Sequence, residues 1–186
     1  EHSTFDGARV ATVAGSSLYM SSCSITGAPA GLAIIDSDAV LRNVSFVNSP
    51  AEADAALLVK RTNSRSSLRC HACHFVGNRV RSGAAALEVH GASAFLLDSL
   101  FDGNVGRDIG AAVLLVQGDL VIESSVFVYS TARGGSCIRL RGGSLVATYS
   151  TFANNTALEE PTSGGGVAVL EPSSTATFQH CSFRGN

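Results

Sequence analysis

The chain has 186 residues, a formal net charge of -2, 45% apolar side chains and five cysteines. Its charges are scattered, which excludes the basic footprint of a nucleic-acid binder. No apolar run approaches the roughly 18 residues needed to cross a bilayer, and the amino terminus lacks the basic-then-apolar layout of a signal peptide.

Helices are disfavoured at the outset, because Gly is abundant (19 residues) and the only lysine is Lys60, which leaves no Glu-Lys pairs at helical spacing. What the chain does have is an internal repeat. Its anchors are Phe5, Ile25, Phe46, Phe75, Phe101, Phe127, Phe152 and Phe183, spaced 20, 21, 29, 26, 26, 25 and 31 residues apart. Four of them open the tetrapeptide Phe-x-x-Asn, ending on Asn78, Asn104, Asn155 and Asn186.

Seven residues before each anchor from Ile25 onward stand Leu18, Ala39, Leu68, Ala94, Leu120, Leu145 and Ala176. Five residues before stand Met20, Leu41, Cys70, Leu96, Ile122, Ala147 and Phe178, while the positions between are mixed. This is the two-residue alternation of a half-buried strand. Two residues before the anchors come small side chains, among them Cys23, Val44, Cys73 and Ser99, so the inward phase jumps by three. A bend is therefore expected near Asn43, Ala72, Asp98 and Ser124, followed by a second short strand carrying the anchor. A third strand follows glycine or alanine, as in Gly83-Ala84-Ala85-Ala86-Leu87 and Gly110-Ala111-Ala112-Val113. Gly91, Gly118 and Gly142 then turn the corner into the next unit.

Such a unit hides its apolar face only by stacking on the next, strand on strand in parallel register about 4.8 Å apart. The expectation is an all-β fold, a right-handed single-stranded parallel β-helix of about seven rungs with three short strands per rung. Residues 1–186 are read as one β-helix domain, a piece of a longer chain. Phenylalanines and asparagines form ladders along its axis. The units of 29 and 31 residues carry insertions, the first made of Asn48 to Asp54 with Arg61-Thr62-Asn63-Ser64-Arg65 and the second spanning Leu158 to Gly164. Insertions in solenoids map to loops, often on a binding face.

Little is left over for chemistry. The strand acids Glu88, Asp98, Asp102, Asp119 and Glu123 fall at different ladder positions, without the pair that glycoside cleavage requires. Arg139 and Arg141 share a face and are candidates for contact with an acidic glycan or a partner. Cys70-His71-Ala72-Cys73-His74 has the residue types of a zinc site. However, both thiols fall on inward ladder positions and both imidazoles point away, so buried thiols are expected instead. Cys23 and Cys73 lie two rungs apart, beyond the reach of a disulfide. Asn43-Val44-Ser45 and Asn154-Asn155-Thr156 are glycosylation sequons at expected bends, making Asn43 and Asn154 candidate acceptors. No catalytic, cofactor or metal residues are assigned.

The Phe-x-x-Asn element, paired with altered Gly-Gly-Ala-(Ile/Leu/Val) tetrads at 83–87, 110–113, 134–138 and 164–167, resembles the repeats of the polymorphic outer-membrane-protein family of bacterial surface adhesins. More broadly the chain resembles the pectate-lyase-like superfamily of right-handed β-helices. The first resemblance implies an extracellular or cell-surface scaffold or adhesin. Its partners would be further rungs, other subunits of a surface assembly, or glycans. The second implies the alternative, a carbohydrate-binding or polysaccharide-cleaving domain. The Asn-Thr-Asp, Asp-Asp and Gly-His-Gly segments that mark the polygalacturonase-like enzymes of that superfamily are missing.

Overall fold

The computed structural model describes residues 3–6, 12–28, 31–51, 55–81, 83–106, 112–133, 137–158 and 166–186, and every regular element among them is a β-strand. All pairings between strands are parallel, each strand lying on its counterpart one repeat away. The chain is a β-solenoid. The anchors define its register: Phe5 pairs with Ile25, Ile25 with Phe46, Phe46 with Phe75, and so on through Phe101, Phe127 and Phe152 to Phe183.

Inside, each expected column forms. The rings of Phe46, Phe75, Phe101, Phe127 and Phe152 are fully buried and stack nearly parallel, with centroids 4.4–5.0 Å apart. That spacing matches the separation of neighbouring strands, so the sheet's own geometry sets the stacking distance. The columns on the preceding strand are equally dry, with Leu41, Cys70, Leu96, Ile122 and Ala147 at 0–1% exposure. Burial fades at the two ends. Leu18, Met20, Ala176 and Phe178 are half-buried, and Phe183 is 48% exposed.

The phase jump between inward sets is made by one residue per turn in the left-handed backbone region. Ser22, Asn43, Ala72, Asp98, Ser124, Tyr149 and His180 all have φ between 49 and 53°. This conformation costs an L-residue roughly 1–2 kcal/mol, so the stack imposes it on side chains as unlike as alanine and tyrosine. Behind the bends at Ala72, Asp98, Ser124 and Tyr149 the small column adds an unexpected hydrogen-bond chain. Cys73 N donates to Ser99 Oγ, Ser99 N to Ser125 Oγ and Ser125 N to Ser150 Oγ at 3.0–3.3 Å. The hydroxyls of Ser99, Ser125 and Ser150 in turn donate to carbonyls two residues back. The bend's freed backbone donors are thereby satisfied internally.

Three residues after Phe75, Phe101, Phe152 and Phe183 comes the asparagine column. Asn78 Nδ2 donates to Asn104 Oδ1 at 3.0 Å and Asn155 Nδ2 to Asn186 Oδ1 at 2.9 Å. Each amide also reaches the carbonyl of the anchor one turn earlier: Asn78 to Phe46, Asn104 to Phe75, Asn155 to Phe127 and Asn186 to Phe152. Ser130 interrupts the column, and its buried hydroxyl finds no partner among the described residues.

Two expectations need correction. Immediately after the asparagine column the chain forms a fourth strand of two residues, Pro50–Ala51, Arg79–Val80, Val105–Gly106, Thr131–Ala132 and Thr156–Ala157, which make a separate parallel sheet. Two residues are too few to show alternation, so the sequence pattern hides them. These five strands are joined by four steps, so the coil with every face described makes about four turns rather than about seven rungs. The outer rungs continue only on the other faces.

The tetrads acquire a physical meaning. Ala56, Ala86, Ala112 and Cys137 stand at the entrance to the third strand with no exposed surface, successive turns being joined by backbone bonds such as Leu57 N to Ala86 O and Val113 N to Cys137 O. Only small side chains fit that narrow entrance. Tetrad positions 110–111, 134–136 and 164–165 lie outside the described residues.

Candidate functional site

Where the third strand turns into the next first strand, the corner is usually tight. Two residues separate Leu32–Ile35 from Asp38–Val47, and two separate Leu87–His90 from Ser93–Leu97. Gly118 and Gly143 stack there so closely that a Cβ on Gly143, at φ 94°, would lie 2.1 Å from the Gly118 carbonyl oxygen. One turn breaks the rule. Between Leu57–Lys60 and Ser67–His71 stand the six residues 61–66, the source of part of the long 29-residue spacing.

This insert is held from below by Asp36, which occupies the bend of the preceding turn. Its carboxylate accepts the Thr62 hydroxyl at 2.5 Å and the backbone N–H groups of Thr62, Asn63 and Ser64 at 2.6, 3.1 and 3.2 Å. Those donors, the Thr62 hydroxyl foremost, lower the Asp36 pKa from 3.8 to about 2. The loop's ends are fastened too: Arg61 N donates to His90 O, and Ser66 Oγ and Ser67 N donate to Ser37 O.

Around the insert the surface is concave. A depression of about 720 Å³ is bounded by Arg61, Asn63, Ser64, Arg65 and Gly91. It shares Arg65 and Ser93 with a neighbour of about 300 Å³, whose lining includes Arg69, Phe95, Val121 and Asp119. A third depression of about 560 Å³, reached past Asp119, is bordered by Arg141, Gly143 and Glu171. Arg61, Arg65 and Arg69 are exposed, and none has a side-chain hydrogen bond or ion pair with a described residue.

The earlier candidates fall elsewhere or are already occupied. Arg139 and Arg141 do converge, but on an internal acid: Glu171 Oε1 lies 2.6 Å from Arg139 Nη2 and 2.9 Å from Arg141 Nε. The hydrogen bond from Arg141 leads in holding the Glu171 pKa below its ordinary value, and Arg139 adds to it. An acidic sugar at this pair would have to displace Glu171. Glu88 is likewise committed, its Oε1 accepting Ala84 N at 2.7 Å and its Oε2 meeting His90. Asp98 pairs with His71 at 3.3 Å on the open surface, and Asp119 accepts the Ser144 hydroxyl.

Cys70 and Cys73 are buried with no disulfide between them, and burial pushes the Cys70 thiol up. Cys137 is raised by the same cause. Among the described residues no group of three or more His, Cys, Asp or Glu side chains is placed to hold a metal ion. Asn43 and Asn154 are both exposed at left-handed bends, with φ of 51 and 55°. Residues 52–54 of the first insertion and 159–164 of the second lie outside the described residues. Among the described residues no helix is long and apolar enough to cross a membrane.

The corner groove is only partly foreshadowed by the sequence. The excess spacing marks Arg61 and Arg65 as belonging to an insertion, whereas Asp36 lies 26 residues upstream of Thr62 and carries no local signal. Comparison of the chain with protein-family models, with curated proteins and with solved structures finds no match.

Proposed function

We propose that the chain is a non-catalytic scaffold or adhesion module, a β-solenoid segment of a large extracellular or cell-surface protein. The observation that carries this reading is the continuity of the internal columns. Side chains patterned by the repeat are used for stacking from turn to turn, and the hydrogen-bonded acids are used to hold loops and neighbouring side chains. A rod of this kind presents a long, rigid outer surface on which loops can vary without disturbing the core. The stacked Phe-x-x-Asn elements support its resemblance to the repeats of polymorphic outer-membrane-protein adhesins, and the parallel coil supports the broader resemblance to pectate-lyase-like β-helices. On this reading its partners are further rungs or other subunits of a surface assembly, or glycans. The exposed sequon asparagines Asn43 and Asn154 are compatible with a secreted setting.

The test is a turnover assay on neutral and acidic polysaccharides, run beside a glycan array. The expected outcome is no bond cleavage. Cleavage that disappears on Asp119→Asn would overturn the reading in favour of a polysaccharide-cleaving domain, and tight glycan binding lost on Arg139→Ala would favour a carbohydrate-binding one.

A further inference from the structure

We infer that the corner groove binds an acidic peptide segment of a partner protein, with Arg61, Arg65 and Arg69 holding its carboxylates and Phe95 and Val121 receiving an apolar side chain. This rests on the interaction-module reading above and names the surface and the chemistry of the partner.

Four observations converge. The insert at 61–66 is a departure from a corner otherwise turned in two or three residues or run straight through, so the coil does not require it. Ordering it costs conformational entropy, and Asp36 is committed to that ordering through four donors. The arginines it carries are exposed and lack partners among the described residues, and Arg69 joins them from the adjoining strand, in register with Phe95. Guanidinium groups favour carboxylates in paired hydrogen bonds, and a fixed loop reduces the ordering that a ligand must impose.

The rest of the wall selects among anions. Phe95, half-buried, and Val121 line the 300 Å³ depression beside Arg69. A uronate or sulfated saccharide supplies charge but no apolar side chain for that space, whereas an acidic peptide supplies both. Of the three nearby acids, Asp36 is taken up by four donors of the loop itself, Asp38 accepts the Ser67 hydroxyl at 2.5 Å and Asp119 the Ser144 hydroxyl at 2.6 Å. Asp119 repels carboxylates from its end of the groove, which places the peptide's acidic residues over 61–66 and its apolar residue toward Val121.

The experiment is fluorescence anisotropy on the full chain with a fluorescein-labelled peptide in which glutamates flank one phenylalanine. Saturable binding is expected that weakens as salt rises. Each of Arg61→Ala, Arg65→Ala and Arg69→Ala should lower affinity about tenfold, equivalent to about 1.4 kcal/mol, and Arg65→Glu by more. Arg42→Ala, on the opposite margin of the same sheet, should leave affinity unchanged. Asp36→Asn should weaken binding through the loop while the far-ultraviolet circular dichroism stays that of the folded coil. The inference is overturned by absence of saturable binding, by equal affinity in the arginine variants, or by uronate or sulfated oligosaccharides displacing the peptide at lower concentration than unlabelled peptide does. Such a failure leaves the non-catalytic reading standing. Polysaccharide turnover would remove that reading whatever the peptide does.

Discussion

Two corners of the coil obey opposite rules. At the phenylalanine-asparagine corner one turn nearly copies another: rings stack at 4.4–5.0 Å, and amides reach the anchor carbonyl one turn back. At the corner between third and first strands the turns differ, with Asp36-Ser37, the six residues 61–66, Gly91-Ala92 and the stacked glycines Gly118 and Gly143 each making the same connection differently. The difference shows where the physics constrains the chain. Inside a parallel stack a substitution in one turn is felt by the turns on both sides, so columns stay uniform. On the outer corner a loop need only return to register, which leaves room for surface chemistry.

The contrast can be broken most severely in the middle of the ring column. Phe101→Ala should destabilise by about 3–5 kcal/mol, because Phe101 is fully buried between two stacked neighbours. The same change at Phe183, 48% exposed, should cost much less. Thermal unfolding of both variants reads the difference. Next comes Asn104→Ala, which removes an amide that accepts from Asn78 and donates to Phe75 O. Leaving those buried groups without partners should cost about 2–3 kcal/mol.

A gain is expected where the column is imperfect. In Ser130→Asn, the new amide can donate to Phe101 O and accept from Asn104 N, as its neighbours in the column do. About 1 kcal/mol is expected, seen as a melting temperature raised by about 2–4 °C. Ala72→Gly should help by less than about 1 kcal/mol, since relief of the positive φ of 53° is partly offset by glycine's greater freedom when unfolded.

The smallest effect on global stability belongs to the irregular corner. Because the folded pKa of Asp36 is lowered from 3.8 to about 2, its contribution is complete above about pH 4 and is lost as pH falls through about 2. Amide exchange at Thr62, Asn63 and Ser64 should accelerate over that window, and in Asp36→Asn at neutral pH as well. An unchanged exchange rate in that variant would mean that the loop holds itself.

This division also explains what the sequence shows. Columns are legible because stacking repeats a residue type at one spacing, and the bends at Asn43, Ala72, Asp98 and Ser124 follow from the shift of inward phase. The two-residue fourth strand leaves no periodic trace. The serine chain behind the bends reads only as a run of small residues until Ser99, Ser125 and Ser150 are seen to accept from the preceding turn. At the outer corner, contacts join single residues far apart in sequence. Arg139 and Arg141 look available until Glu171, 32 and 30 residues later respectively, is found between them, and nothing near Asp36 announces its loop.

The column of rings is tested most directly by nuclear Overhauser contacts among ring protons in a sample labelled only on phenylalanine. With centroids 4.5 Å apart for Phe75 and Phe101 and 4.4 Å for Phe101 and Phe127, ring-to-ring contacts should connect these residues although they are 26 positions apart. A well-folded sample in which those rings show contacts only to residues near them in sequence would contradict the stacked coil.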